Sequence, residues 1–194
     1  MKEKAERFAQ WIIVVGTLTL LVWMFSLSEG VSQPAEQIRE NAIRQCVAEH
    51  YTLAIGVRET TGRNDGKEVA AYLRSVQLGE GYAWCAAFVN YTLKQCGAPV
   101  ANSGWSPAWF PTQKIVFGLG LNSGTLPKKG DVFGIYFASK KRIAHVGFID
   151  SWGTTHVTTV EGNTNDAGSR EGDGVYRKRR LTRQIYAVSN WISL

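Results

Sequence analysis

Cys85 lies within Gly81-Tyr82-Ala83-Trp84-Cys85-Ala86-Ala87-Phe88-Val89, where a glycine-bearing turn runs into an apolar stretch and places the cysteine in the first turn of a predicted helix. Unpaired N–H groups and the positive end of the helix dipole stabilise a thiolate there, and they can also hold the oxyanion of an acyl transfer. A helix-start cysteine taken alone is more often a buried structural residue, so its partners decide. A thiolate nucleophile needs a base that a third group orients, and three histidines are available, His50, His145 and His156. His50, between Glu49 and Tyr51 in a predicted helix, reads as solvated. His145 opens the predicted strand from Ala144 and His156 opens the next. If those strands pair antiparallel, the end of the second near Glu161 returns beside the start of the first near His145. Glu161 and Asn163 stand two apart, so an extended backbone sends both to one face, and either could orient the imidazole. The bland alternative is a hairpin that happens to end in polar turn residues. A zinc site of Cys85, His145 and His156 lacks a short-spaced ligand pair, and Gly118-Leu119-Gly120 neither follows a clear strand nor opens a helix, which argues against a phosphate loop.

The elements that must position these residues come in two blocks. Pro34 stands where a helix can begin, and Ile38, Ala42, Cys46, Val47 and Leu53 recur at helical intervals, which predicts a helix through about Ala54. After the turn-rich run Thr60 to Gly66, the positions Val69, Tyr72, Leu73 and Val76 predict a second helix. Trp84 to Gln95 forms a third, with Gly97 as its cap and Pro99 beyond it. From Pro99 to Lys129 no period is sustained, and the stretch reads as a structured loop whose tryptophans either line a groove or cover the core. Short β-rich runs follow: Asp131 to Phe137, Ala144 to Trp152, His156 to Glu161, Gly174 to Leu181 and Tyr186 to Ile192. Helices first and strands afterwards predict an α+β domain, with N-terminal helices packed on a C-terminal antiparallel sheet. The basic run Arg177-Lys178-Arg179-Arg180 reads as a solvated edge strand.

The chain has 194 residues and a net charge of +6, enough for one core rather than two comfortable domains. Trp11 to Ser28 carries no ionisable residue and is about long enough to span a bilayer as a helix. Lys2, Lys4 and Arg7 precede it and the next basic residue is Arg39, so residues 1–10 are expected in the cytoplasm and the body outside. Ser26-Leu27-Ser28 also fits a signal-peptidase site, which would release the body as a secreted protein. Without residues 1–28 the body keeps 19 basic and 14 acidic residues, or +5, a balance suited to anionic surroundings such as wall polymers. Of the three cysteines, Cys85 and Cys96 on one helix would be separated by roughly 16 Å of rise, too far for a bridge. Cys46 with Cys96 remains open, as does a pair of buried free thiols.

Four segments in order, Trp84-Cys85-Ala86-Ala87-Phe88-Val89, Gly130-Asp131-Val132, Ala144-His145-Val146-Gly147 and Glu161-Gly162-Asn163, resemble a CHAP domain, a relative of the NlpC/P60-like and papain-like hydrolases. The resemblance covers residues 55–194, preceded by the anchor at 11–28 and a linker and leading helix at 29–54. It implies a papain-like fold and a bacterial hydrolase of amide bonds in peptidoglycan, either an N-acetylmuramoyl-L-alanine amidase or a peptide endopeptidase. In that scheme Cys85 attacks the carbonyl, His145 is base and then acid, Glu161 orients His145, and Asn163 supports the site or the oxyanion. No cofactor, metal or nucleic-acid partner is implied. Peptidoglycan is the expected partner, the inner membrane the expected seat through one N-terminal helix, and a monomer the expected state. The rival readings are a non-catalytic wall-binding envelope protein and a phage or toxin lysis factor of the same chemistry.

Overall fold

The computed structural model describes residues 34–118, 121–122, 124–166 and 172–193. The expected anchor, Trp11 to Ser28, and the cytoplasmic residues before it lie outside the described residues. Among those described, no helix is long and apolar enough to cross a membrane. The chain divides into two units, Met1–Asn41 and Ala42–Leu194. Of the first, residues 34–41 are described and are helical.

Residues 34–54 are helical (α1), and the part from Ala42 onward belongs to the second unit. Two ties explain why. Cys46 is disulfide-bonded to Cys96, and the Arg44 guanidinium donates to the buried Asp131 carboxylate at 2.9 Å and to the Lys129 carbonyl at 2.7 Å. The Gly130-Asp131-Val132 segment is therefore an anchorage for α1. Asp131 also accepts from the Lys128 N–H at 2.8 Å. Burial pushes its carboxyl above the ordinary carboxylate value despite the Arg44 charge.

Helices α2 (Lys67–Arg74) and α3 (Cys85–Gln95) follow, separated by a loop bearing two glycines, Gly79 and Gly81. Helix α3 ends as its sequence predicts. Gly97 adopts φ 67°, its N–H returns to the Lys94 carbonyl, and the Ala98 N–H returns to that of Leu93, which is a Schellman closure. Seven strands then form one sheet in the order β2-β1-β7-β3-β4-β5-β6, every described pairing antiparallel. They are β1 (Ile115–Gly118), β2 (Leu121–Asn122), β3 (Val132–Phe137), β4 (Arg142–Ser151), β5 (His156–Thr164), β6 (Gly174–Leu181) and β7 (Ala187–Ser189).

Period-two alternation sorts the strand residues between two apolar clusters. Val132, Phe148, Val160 and Ala187 pack with Trp84, Phe88 and Leu93 of the helical side. Their neighbours Phe133, Ile149 and Val188 join Val157 and Ile185 in a smaller cluster. The expected α+β arrangement is present, with two corrections. The stretch read as loop contains β1 and β2, the former against β7. Its two tryptophans also divide: Trp109 is fully buried against Trp191 at 5.0 Å between ring centroids, while Trp105 is exposed, with Arg142 stacked 3.9 Å from its ring.

Candidate active site

Helix α3 begins at Cys85 because Trp84 (φ −118°, ψ 12°) leaves helical geometry, and no side chain of its own segment caps it. The cap comes from elsewhere in the chain. Asn163 Oδ1 accepts from the Trp84 N–H at 3.3 Å. The indole of Trp84 is fixed in turn, its Nε1–H donating to Glu59 at 2.8 Å. The remaining first-turn N–H groups of α3 have no intrahelical partner, the usual condition of a helix start.

The thiol itself is buried, 6 % exposed. Its sulfur lies 3.7 Å from the Ser106 hydroxyl, which sits in the short 3-10 turn Ser106–Trp109. Burial alone would raise the Cys85 thiol. A hydrogen bond and charge from His145, the Ser106 hydroxyl and the Val146 N–H outweigh it, and the thiol falls below its ordinary value of 9.0.

His145 is not at the start of its strand as expected. It is the fourth residue of β4, because β4 begins at Arg142 and pairs Phe137 through the hairpin. The register skips Ala144, so that Ile135 opposes His145 and Tyr136 opposes Ile143; such a bulge re-aims side chains beside it. His145 Nε2 lies 2.8 Å from Glu161 Oε2, which leaves Nδ1 for the thiol. Desolvation would lower this imidazole, but the hydrogen bonds to Cys85 and Glu161 and their charges raise it to about 9. A thiol moved down and an imidazole moved up together describe a thiolate–imidazolium pair.

Glu161 has no exposed surface and is still held well below the usual carboxylate range. Burial opposes that shift; the Arg180 guanidinium and His145 overcome it. Arg180 donates from Nε to Oε1 and from Nη2 to Oε2, both at 2.5 Å, and the Thr159 hydroxyl donates to Oε1 at 2.5 Å. A carboxylate with several charge-assisted donors stays ionised even when buried.

Asn163 departs from expectation. The ladder between β5 and β6 shifts register between Glu161 and Thr164, and Asn163 takes φ 54°, so the simple alternation that would put it beside Glu161 fails. Its amide binds the Trp84 N–H, Glu59 at 3.3 Å and Asn64 at 3.0 Å. Between the two, Gly162 allows a close approach of strand and helix. A Cβ there would stand 2.7 Å from the Trp84 ring and 2.8 Å from Phe88.

The other histidines lie apart from this group. His156 opens β5 and bonds Thr155 at 3.1 Å. His50 is exposed, close to the Cys46 and Cys96 sulfurs, and those two sulfurs are bonded to one another. Among the described residues, Cys85, His145 and His156 do not gather as a metal site. Sequence reasoning missed Arg180 and Ser106. Alternation along β6 was the one available signal for Arg180, since Arg177 and Arg179 are exposed whereas Arg180 is not.

In comparisons with known proteins, residues 77–163 match the family model of the CHAP domain. That span includes Cys85, His145, Glu161 and Asn163. No curated protein and no solved structure matches the chain.

Proposed function

We infer, from the CHAP domain that this chain carries, that it is a peptidoglycan hydrolase of the amidase or peptidase kind, working through Cys85. The observation that carries the reading is the unbroken chain of contacts from the buried thiol through His145 to the ionised, fully buried Glu161. Nothing in core packing requires that sequence of groups, and burying them has a cost.

In the proposed cycle the Cys85 thiolate attacks the carbonyl carbon of a wall amide. The N–H groups at the start of α3 receive the developing oxyanion. The imidazolium of His145 gives its proton to the departing amine, leaving an acyl thioester on Cys85. Neutral His145 then takes a proton from water as that water attacks the thioester; the C–S bond breaks, Cys85 leaves as thiolate beside the imidazolium, and the carboxylic acid product gives its remaining proton to solvent. Glu161 keeps the ring oriented and offsets its positive charge without changing protonation. Asn163 serves one step further out, by fixing the backbone from which Cys85 projects. The uncharged Trp11 to Ser28 segment suggests that this chemistry takes place on the outer side of the bacterial inner membrane, with the domain tethered to it.

Full-length protein in mild detergent, incubated with purified sacculi, should release soluble fragments, and mass spectrometry of those fragments identifies the bond cut. Wild-type protein that binds sacculi without releasing fragments or free amines would replace the hydrolase by a wall-binding protein. A phosphatase fused after Leu194 should be active, and its silence would overturn the outward topology.

A further inference from the structure

A cavity of about 250 Å³ opens beside His145: its lining includes His145, Asn163, Lys178 and Arg180, with Ile135 and Phe137 as apolar wall, but not Cys85, Trp84 or Ser106. Its charges are unequal. Arg180 is already matched by Glu161, and His145 is matched by Glu161 and the thiol. Lys178 has no carboxylate within ion-pair distance among the described residues. Its ammonium donates to the Asn165 carbonyl, and an ammonium carries three N–H donors. No carboxylate lines the cavity among the described residues. Among the described residues, the recess therefore holds a positive charge without a matching carboxylate, against a partly apolar wall.

Its side of the site fixes which part of a substrate it meets. The imidazole hands its proton to the departing amine, so the portion of substrate that leaves with that amine lies on the His145 side of the sulfur. We propose that the cavity is a subsite for a carboxylate carried by the leaving-amine portion of the substrate, with Lys178 as the residue that recognises it. This rests on the hydrolase reading above and adds a substrate class to it: amides whose amine half is acidic. The half-buried position of Lys178 on β6, facing the same way as Arg180, strengthens its attraction for an anion relative to a solvated lysine.

The test uses soluble disaccharide-peptides cut from sacculi by a muramidase, in native form and with their carboxyls converted to carboxamides. Full-length wild type in detergent should prefer the native form by about tenfold or more in kcat/KM, as expected for loss of one hydrogen bond to a charged group. Lys178→Met should bring the native form down to the amidated one while leaving turnover of the amidated form unchanged, which shows that the variant folds and reacts. Lys178→Arg should keep the preference and Lys178→Glu should reverse it. Equal turnover of both forms by wild type, or equal loss on both in Lys178→Met, overturns the subsite. Binding of the same two forms to Cys85→Ala, followed by calorimetry, reads the subsite without turnover. If wild type cleaves neither form, the hydrolase reading fails, and the calorimetric preference still decides for or against Lys178.

Discussion

Arg180 holds both carboxylate oxygens of Glu161, 2.5 Å from each, while Glu161 in turn holds His145 at 2.8 Å. Strand β6, an edge of the sheet, is thus two contacts from the imidazole that faces the Cys85 thiol. Arg180 touches no reacting atom; in the proposed mechanism it is a positioning residue that keeps Glu161 ionised. Arg180→Met should let the Glu161 carboxyl protonate closer to neutral pH and release His145. The acid limb of the kcat/KM profile should then move upward, with kcat falling more than KM changes. Arg180→Lys should partly restore the limb. A uniform drop across all pH values, with the limb unmoved, would assign Arg180 a purely structural part.

The nucleophile and its base should behave as a unit. Cys85→Ala and His145→Ala should each abolish release of fragments from sacculi, and the double variant should be scarcely worse than either single one. Circular dichroism should show all three folded. Glu161→Gln should lower activity less, since a covalent route survives, although it leaves Arg180 without its counter-charge and costs stability as well. Near-normal turnover by a folded Cys85→Ala protein would falsify the cysteine mechanism.

The titration of the pair sets a pH window. Because Cys85 lies below its ordinary 9.0 and His145 is raised to about 9, alkylation of Cys85 by iodoacetamide should already be fast at neutral pH. Activity should fall as pH rises past about 9 and the imidazolium loses its proton. Stability follows the same groups with opposite signs. The His145 contribution is complete below its ordinary 6.5 and is lost as pH rises through about 9. The Glu161 contribution is complete above its ordinary 4.5 and is lost as pH falls toward its depressed folded value. An alkylation profile that titrates as a simple thiol near 9.0 would contradict the pair.

The bridge between Cys46 and Cys96 closes a loop with a sequence separation of 50, for which chain entropy gives about 4 kcal/mol of stabilisation. Reduction, or Cys46→Ser with Cys96→Ser, should lower Tm by about 10 °C for a chain of this size. Fragment release at 25 °C should be little changed, since neither sulfur contacts the site. Non-reducing peptide mapping should find Cys85 free. A Cys85 bridged to either partner would undo the placement of the nucleophile.

Much of this was readable from residue types. Helix α3 was legible at both ends, because a glycine turn precedes it and Gly97 and Pro99 follow; its start marked Cys85, and one antiparallel hairpin brought Glu161 and Asn163 toward His145 without choosing between them. What escaped did so for physical reasons. Strands β1 and β2 have four and two residues, too few for an alternation to register. The left-handed residue Asn163 lies inside β5, which runs on past Glu161, the end that the sequence pattern gave it, and nothing in the residue types marks that break in alternation. Arg180 sits in a run of four basic residues, and which of them turns inward depends on a carboxylate 19 positions away in the chain.

The three residues Glu161, Gly162 and Asn163 face three separate tasks in consecutive positions: a charge for His145, bare backbone beneath Trp84 and Phe88, and a cap for the start of α3. A substitution in this tripeptide removes one task. Inserting or deleting a single residue shifts all three out of phase together, carrying a methylene into the helix contact and the carboxylate away from the ring. Length here is therefore constrained more tightly than composition, and redesign of the domain should graft or exchange loops only outside this span, treating it as the index mark against which helix and sheet are aligned.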